Sequence, residues 1–460
     1  MDPALQRIVQ ALGPDAELAV VGGTVRDRLL GRPGGDWDLA TALLPETVLE
    51  RAGAAGLRAI PTGLQHGTVT LMEAGTAFEI TTFRGDGDYL DGRRPESVTL
   101  GVPLEQDLAR RDFTINAMAL PAAALARPDW LDFLVDPHGG RRDLEARLIR
   151  AVGDPLLRFG EDGLRCLRAC RFQAQLGFAI EPGTLAAIPL RLEVAGKVAV
   201  ERVFVELTKL LCGPEPERGL AALAGTGLLD LWLPELRPMI GCGQNRHHRY
   251  PVWEHVLEVT RRAPNEPDLR WAALLHDSGK PAARTVDPRG EAHFHGHEAI
   301  SVTMVQTILT RLRASHALVR QVTALVRHHG THPGPGWGDP ACRRFLKHLQ
   351  EDGLPLERWA SFRLADNSGK GFGEEPFLAA HEAMLARLRG LAGQHPPLAV
   401  QALALDGRAL MALAGRPGGP WLGQLQQGLM EAVLDDPSLN QPGPLGGLAA
   451  EWLERHPAEG

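Results

Sequence analysis

Residues 21–38, VGGTVRDRLLGRPGGDWD, join a Gly-Gly turn to two carboxylates separated by a single residue. Side chains of an extended strand alternate between its faces, so Asp36 and Asp38 project to one side and can grip a single hard cation. Gly22 and Gly23 let the main chain approach a phosphate closely, and Arg26, a turn further on, offers a forked donor to its oxygens. A strand, a glycine turn, a helix and a second strand thus hold a phosphate cradle and metal carboxylates in one unit. That combination points to metal-assisted transfer from a nucleoside triphosphate. A lone Asp-x-Asp would say little, because so short a pattern recurs by chance; the upstream glycines give it weight.

Further blocks follow in a fixed order. They are EITTFRGDGDYLDGRRPESVTLGVPLEQDLARRDFTINAMAL (79–120), DPHGGRRDL (136–144), RFGEDGLRCLRACRFQAQLGF (158–178) and ERVFVE (201–206) with Lys209. A fainter likeness runs through LALDGRALMALAGRPGGPWLGQLQQGLMEAVL (403–434). With the opening stretch, these resemble the nucleotidyltransferase superfamily that includes DNA polymerase beta. Within it they resemble the bacterial CCA-adding tRNA nucleotidyltransferases and their poly(A) polymerase relatives. The resemblance implies an α+β protein: a polymerase-beta-like α/β head (1–145), a helical neck for base selection and RNA binding (146–215), a helical body (216–395) and a helical tail that binds tRNA (396–460). It also implies CTP and ATP as substrates, Mg2+ as the ion and tRNA as the partner.

The resemblance assigns roles residue by residue. Asp36 and Asp38 hold the metal, and Glu79, on a neighbouring strand, is the third carboxylate. Arg111, Asp112 and Asn116 take the ribose and triphosphate, tasks that suit their donors and acceptors. On an ideal helix Glu161, Asp162, Arg165 and Arg168 fall within an arc of about 120°. An Arg fork beside an Asp acceptor can complement the Watson-Crick edge of cytosine and, after adjustment, adenine. The similar enzymes use Asp162 and Arg165 in this way, with Glu161 holding the arginine. Taken alone, the same face also reads as a solvated one with i,i+4 ion pairs.

Composition sets outer limits. At 460 residues the chain is too long for one core, and after about residue 145 its pattern is helical almost throughout. A net charge of −7 argues against indiscriminate binding to polyanions, yet Arg141–Arg171 carries eight arginines against five acids, which suits a guided RNA contact. No apolar run reaches the length of a membrane span, and the N-terminal stretch lacks the apolar core of a signal peptide. The five cysteines show no C-x-x-C spacing and read as free thiols. A cytoplasmic protein without membrane contact is the expectation; oligomeric state is not legible.

A second chemistry lies in the middle of the chain. VWEHVLEV (252–259), WAALLHDSGK (271–280), FHGHEAIS (294–301), LVRHHG (325–330) and LADNSGK (364–370) resemble the HD phosphohydrolase superfamily. The likeness spans about residues 245–370 and puts His255, His276, Asp277 and Asp366 at its four defining positions, with His297 and His328, or His329, as ligands of a second ion. Imidazole and carboxylate donors suit a divalent transition metal or Mg2+. In related tRNA enzymes such a domain is linked to phosphatase or 2′,3′-cyclic phosphodiesterase activity.

Within the family, a poly(A) polymerase or an enzyme adding only CC or only A would keep the same motifs. The loop GDGDYLDGRRP between Arg84 and Pro95 is intact, which favours full CCA addition, since enzymes that stop after CC tend to have it shortened. An HD hydrolase whose head merely binds nucleotide is the reading from another class. The retained Asp36, Asp38 and Arg111-Asp112 oppose it.

Overall fold

In a computed structural model of the chain, the described residues are 2–32, 37–86, 98–334, 336–372 and 375–457. Asp36 and most of the loop that follows Arg84 lie outside them. The chain divides into two compact units, Met1–Arg237 and Pro238–Gly460.

The first unit is built on a six-stranded sheet of β1 (Ala19–Val21), β2 (Trp37–Thr41), β3 (Arg58–Gly63), β4 (Thr68–Glu73), β5 (Thr76–Thr82) and β6 (Ala119–Pro121), in the spatial order β3-β4-β5-β2-β1-β6. Strands β2 and β5 run parallel, and the other neighbours are antiparallel. Alternation is plain in β5, where Phe78 and Ile80 are buried and Glu79 between them is exposed. The register sets Glu79 directly beside Asp38. Residues in register on neighbouring strands share a face, so the carboxylates stand side by side at the polar surface of the sheet.

Helix α1 (Gly23–Leu29) leaves β1 through Gly22, whose φ is 65°. A side chain there would be strained, and its Cβ would lie 3.0 Å from Arg111 Nη1 and 3.8 Å from Asp38 Oδ2. Beyond the sheet come α2 (Leu104–Ala109), α3 (Pro155–Glu161), α4 (Leu164–Leu176) and α5 (Val200–Leu211). The single helix face expected to carry Glu161 through Arg168 is in fact two helices. The backbone opens out at Asp162 (φ −143°, ψ 107°), whose carboxylate caps α4 by accepting from the Leu164 N–H at 3.0 Å. Gly163 permits the break, because a Cβ on it would lie 2.5 Å from the Val194 carbonyl.

Residues 216–237, expected to open the helical body, pack with the neck instead. The helix Pro216–Gly225 lies so close to α4 that a Cβ on Gly219 would stand 2.7 Å from the Cys170 carbonyl, an approach only glycine permits.

The second unit contains α6 (Val252–Arg262), α7 (Pro267–Leu275), α8 (His297–Arg311), α9 (His316–His328), α10 (Leu356–Ser368) and α11 (Glu375–Gly393). All of Trp271–Leu275 is buried, as the apolar run before the His-Asp pair suggests. The tail joins this unit: Arg343 donates to the carbonyls of Leu434 and Asp435 at 2.6 and 2.8 Å, and Leu410, Leu425, Leu429, Val433 and Leu445 close an apolar core of their own. No helix of the described residues is long and apolar enough to cross a membrane.

Candidate functional site

A cavity of about 500 Å³ opens over the polar face of the sheet in the first unit, lined among others by Gly22, Asp38, Glu79, Arg111, Asp162 and Arg165. Gly23, Arg26, Asp112, Asn116 and Arg168 line it too, so every described head residue expected at a nucleotide site reaches this one cavity except Glu161. Glu161 stands just behind, accepting from Arg158 at 2.7 Å and from Arg165. Asp38 and Glu79 supply the oxygen donors that suit a hard divalent ion, and Asp36 lies outside the described residues.

The arginines around the cavity are held by ion pairs that cross between elements. Arg111 pairs with the buried Asp107 at 2.9 Å, and its Nε has no hydrogen-bond partner among the described residues. Arg26 donates to the Asn116 side-chain oxygen at 2.8 Å and lies 5.3 Å from the Phe172 ring centre. Arg165 is 8% exposed and donates to Glu161, to the Arg158 carbonyl at 3.0 Å and to the Arg110 carbonyl at 2.9 Å. A guanidinium has five N–H groups, and the Nε–H and one Nη2–H have no hydrogen-bond partner among the described residues. Asp162 accepts from Arg202 of α5 at 2.8 Å, so that helix steadies the turn between α3 and α4.

Asp112 is the hub. One oxygen accepts from the Phe113 N–H and the Asn116 amide at 2.8 and 3.1 Å; the other meets Arg168 at 2.7 Å. Arg168 in turn reaches Glu206, which also holds Arg171 at 2.5 Å. Burial pushes the Asp112 carboxyl up, but Arg168, the Asn116 amide and Arg165 outweigh it and bring the group down to about 2. A depressed carboxyl contributes stability above its unfolded value of 3.8, and that contribution disappears as pH falls through about 2. The expected loss is on the order of 2 kcal/mol. Urea unfolding of the wild-type protein should therefore decline more steeply between about pH 4 and 2 than that of Asp112→Asn. Parallel pH profiles would remove Asp112 as a stabilising carboxylate.

In the second unit four imidazoles meet two carboxylates. His255 Nε2 lies 3.4 Å from Asp277 Oδ2 and 3.3 Å from Asp366 Oδ1, and His276 Nε2 is 3.2 Å from Asp277 Oδ2. On the other side of Asp277, Oδ1 is 3.3 Å from His297 Nε2 and 3.6 Å from His329 Nε2. Asp277 thus joins two donor sets, His255, His276, Asp277 and Asp277, His297, His329.

The second set corrects one expectation. His328 turns away to Asp352, 2.7 Å from its carboxylate, and His329 takes the inner place. Neighbouring side chains at a helix end point about 100° apart, so only one of the pair can face the cluster.

The Nδ1 atoms of these four histidines fit a metal. Each lies within hydrogen-bond reach of a backbone carbonyl: His255 to Gly369 at 3.1 Å, His276 to Ala273 at 3.0 Å, His297 to Phe294 at 2.8 Å and His329 to Val326 at 2.6 Å. With the proton on Nδ1, the Nε2 lone pairs converge, and His255 and His276 bring theirs within 3.2 Å, as do His297 and His329. Two lone pairs so close repel each other unless a cation or a proton lies between them.

The sequence reading did not single out Arg202, Arg171 or Phe172 at the first cavity, although all three lie in the quoted blocks. It also missed Lys280, 2.7 Å from Asp277 and set three residues after it.

Comparison with known proteins gives consistent results. Residues 18–150 match the poly A polymerase head domain, 177–240 the probable RNA and SrmB-binding site of polymerase A, and 247–359 the HD domain. The chain is 46% identical over 433 residues to a CCA-adding enzyme of Levilactobacillus brevis, covering 92% of this chain and 90% of that one. It is 37% identical over 432 residues to an A-adding tRNA nucleotidyltransferase of Deinococcus radiodurans, covering 90% and 91%. The crystal structure of a Bacillus stearothermophilus CCA-adding enzyme in complex with CTP superposes with a TM-score of 0.72 at 30% identity, covering 99% of each chain.

Proposed function

The chain belongs to the bacterial tRNA nucleotidyltransferase family of CCA-adding enzymes, and we propose that it adds C, C and A to tRNA 3′ ends from CTP and ATP, without a nucleic-acid template. The observation that carries this reading is the register of Asp38 beside Glu79 under a cavity walled by arginines. Asp38 and Glu79, with Asp36, would hold Mg2+, which suits an all-oxygen donor set. A divalent ion held there would make the tRNA 3′-hydroxyl easier to deprotonate and would neutralise charge on the α-phosphate.

The protein's own part is positioning. Gly22 and Gly23 admit the triphosphate, and Arg26 and Arg111 bind its oxygens. Asp112 has both oxygens engaged, so it orients Asn116 and Arg168, and Asn116 faces the ribose. Arg165 presents its unshared N–H groups, and Asp162 its carboxylate, to the base edge, with Glu161 fixing the guanidinium. Such an enzyme works in the cytoplasm, where tRNA is matured.

If Arg165 reads the base, Arg165→Ala should slow CTP and ATP addition and also narrow the discrimination against UTP and GTP by about tenfold or more. Rates with all four nucleotides are the measurement. An equal loss for each would make Arg165 a structural residue only.

Addition of A alone is the second reading, favoured by the similarity to the Deinococcus radiodurans enzyme. One experiment separates the two: tRNA lacking its CCA end and tRNA ending in CC are each incubated with CTP, with ATP or with both, and the products are sequenced. Products ending in CCA support the first reading. No incorporation from CTP, together with A added to tRNA that already ends in CC, supports the second.

The cluster around Asp277 fits a separate, metal-dependent phosphoester hydrolase that acts on damaged RNA ends. Its nitrogen-rich donors suit a transition metal better than Mg2+. Lys280, 2.7 Å from Asp277 and 2.7 Å from the Gln244 side-chain oxygen, holds the shared carboxylate in place.

A further inference from the structure

A second cavity, of about 460 Å³, lies in the HD-containing unit, and none of the roles above uses it. Its wall alternates in sequence with the proposed metal ligands. Asn367 follows Asp366, Lys370 follows the Gly369 whose carbonyl accepts from His255, and His332 comes three residues after His329. Arg363, one turn before Asn367 on α10, is held at Nη1 by the His329 carbonyl at 3.5 Å and by His332. Arg363 thus ties the cavity wall to the backbone of His329, one of the proposed metal ligands.

Its chemistry is unusual for a structural void. Arg363 is only 7% exposed, and its Nε is buried without a hydrogen-bond partner among the described residues. A buried cation with an unpaired donor is costly unless an anion completes it. The same guanidinium lies 5.9 Å from the Trp359 ring centre and 5.6 Å from that of Phe377. Phe377 and His381 stack at 5.4 Å with their planes 21° apart, giving the cavity a flat aromatic wall.

We infer that this cavity seats the terminal nucleoside of an RNA end, with its base against Phe377 and His381 and its phosphate between Arg363, Lys370 and the cluster. The proposal rests on the hydrolase reading of that cluster. An aromatic wall accepts any base, because every base has a π face, and the two cations select a phosphate-bearing ligand over a neutral one. The volume falls within the range of about 300–1,000 Å³ common to small-ligand sites. Opening a 2′,3′-cyclic phosphate there adds water across one P–O bond. Phosphorus gains the hydroxyl, and the departing ribose oxygen takes the proton.

The test uses the full-length protein with magnesium and one molar equivalent of CTP, which fills the head cavity and leaves little free CTP to compete elsewhere, and measures binding of adenosine 3′-monophosphate by equilibrium dialysis. Phe377→Ala and Lys370→Ala should each weaken that binding about tenfold and leave CTP binding unchanged. With manganese or nickel, Phe377→Ala should raise KM for adenosine 2′,3′-cyclic phosphate by a similar factor while turnover of glycerol 2-phosphate, which has no base, stays the same. Wild-type-like dialysis in both variants, or no adenosine nucleotide bound by the CTP-loaded wild type, would overturn the proposal. If the wild type hydrolysed neither ester yet both variants lost nucleotide binding, the hydrolase reading would fail and the nucleoside site would stand.

Discussion

Asp38→Ala is expected to lower the rate of nucleotide addition by more than about a thousandfold, a barrier increase on the order of 4 kcal/mol, while tRNA affinity changes only a few fold. The asymmetry follows from where the carboxylate acts. A ligand to the ion stabilises charge that develops as the 3′-oxygen attacks and pyrophosphate leaves, whereas a large RNA docks through many contacts elsewhere. Asp38 is exposed on the polar face of the sheet, so its removal leaves the buried Leu39, Phe78 and Ile80 untouched. Single-turnover rates with saturating CTP and tRNA, alongside filter binding of the tRNA, measure both quantities. Glu79→Ala should move in the same direction, because the register sets it beside Asp38. Turnover within tenfold of wild type in Asp38→Ala would end the metal assignment in the head.

The second large effect concerns the other unit. His276→Ala combined with Asp277→Ala should remove all metal-dependent phosphoester hydrolysis and preserve nucleotide addition. Asp277 is shared by both donor sets, so its loss disables both at once. The two sites also belong to different compact units, Met1–Arg237 and Pro238–Gly460. Removing Asp277 leaves the buried Lys280 without its carboxylate, a change that can cost about 3–5 kcal/mol, so circular dichroism and thermal unfolding must accompany the assays. Asp277→Asn, which keeps the volume, is the companion variant. A well-folded double variant that had lost nucleotide addition would contradict the independence of the two sites. Wild-type protein inert toward phosphoesters with magnesium, manganese, cobalt and nickel would contradict the hydrolase reading.

Much of this molecule is legible in one dimension because its signals are local. The period of a strand sets Asp38 on the face opposite the buried Leu39 whatever surrounds them, and Gly22 is needed wherever a strand turns into a helix at positive φ. The blocks of the head and the His-Asp pair of the second unit carry their chemistry in residue type and order, which is why the family resemblance could be stated from them. The apolar run Trp271–Leu275 likewise foretold burial beside a polar cluster.

Other features depend on partners distant in sequence, and only the folded chain decides them. The pairing of Glu79 with Asp38 exists because β5 lies parallel to β2, a register that nothing in either segment specifies alone. Periodicity put Glu161, Asp162, Arg165 and Arg168 on one helix; the close approach of Val194 to Gly163 and the cap by Asp162 split it in two. Arg168 could have paired with an acid one turn away, yet it is captured by Asp112 and Glu206 from other parts of the chain. Between His328 and His329 the sequence offers no choice, and the rotation of α9 against Asp277 makes it. The physical reason is common to all four. Backbone period and residue type are fixed within a few residues, whereas the partner of a charged side chain and the register of a strand are set by whichever distant segment packing brings within hydrogen-bond reach.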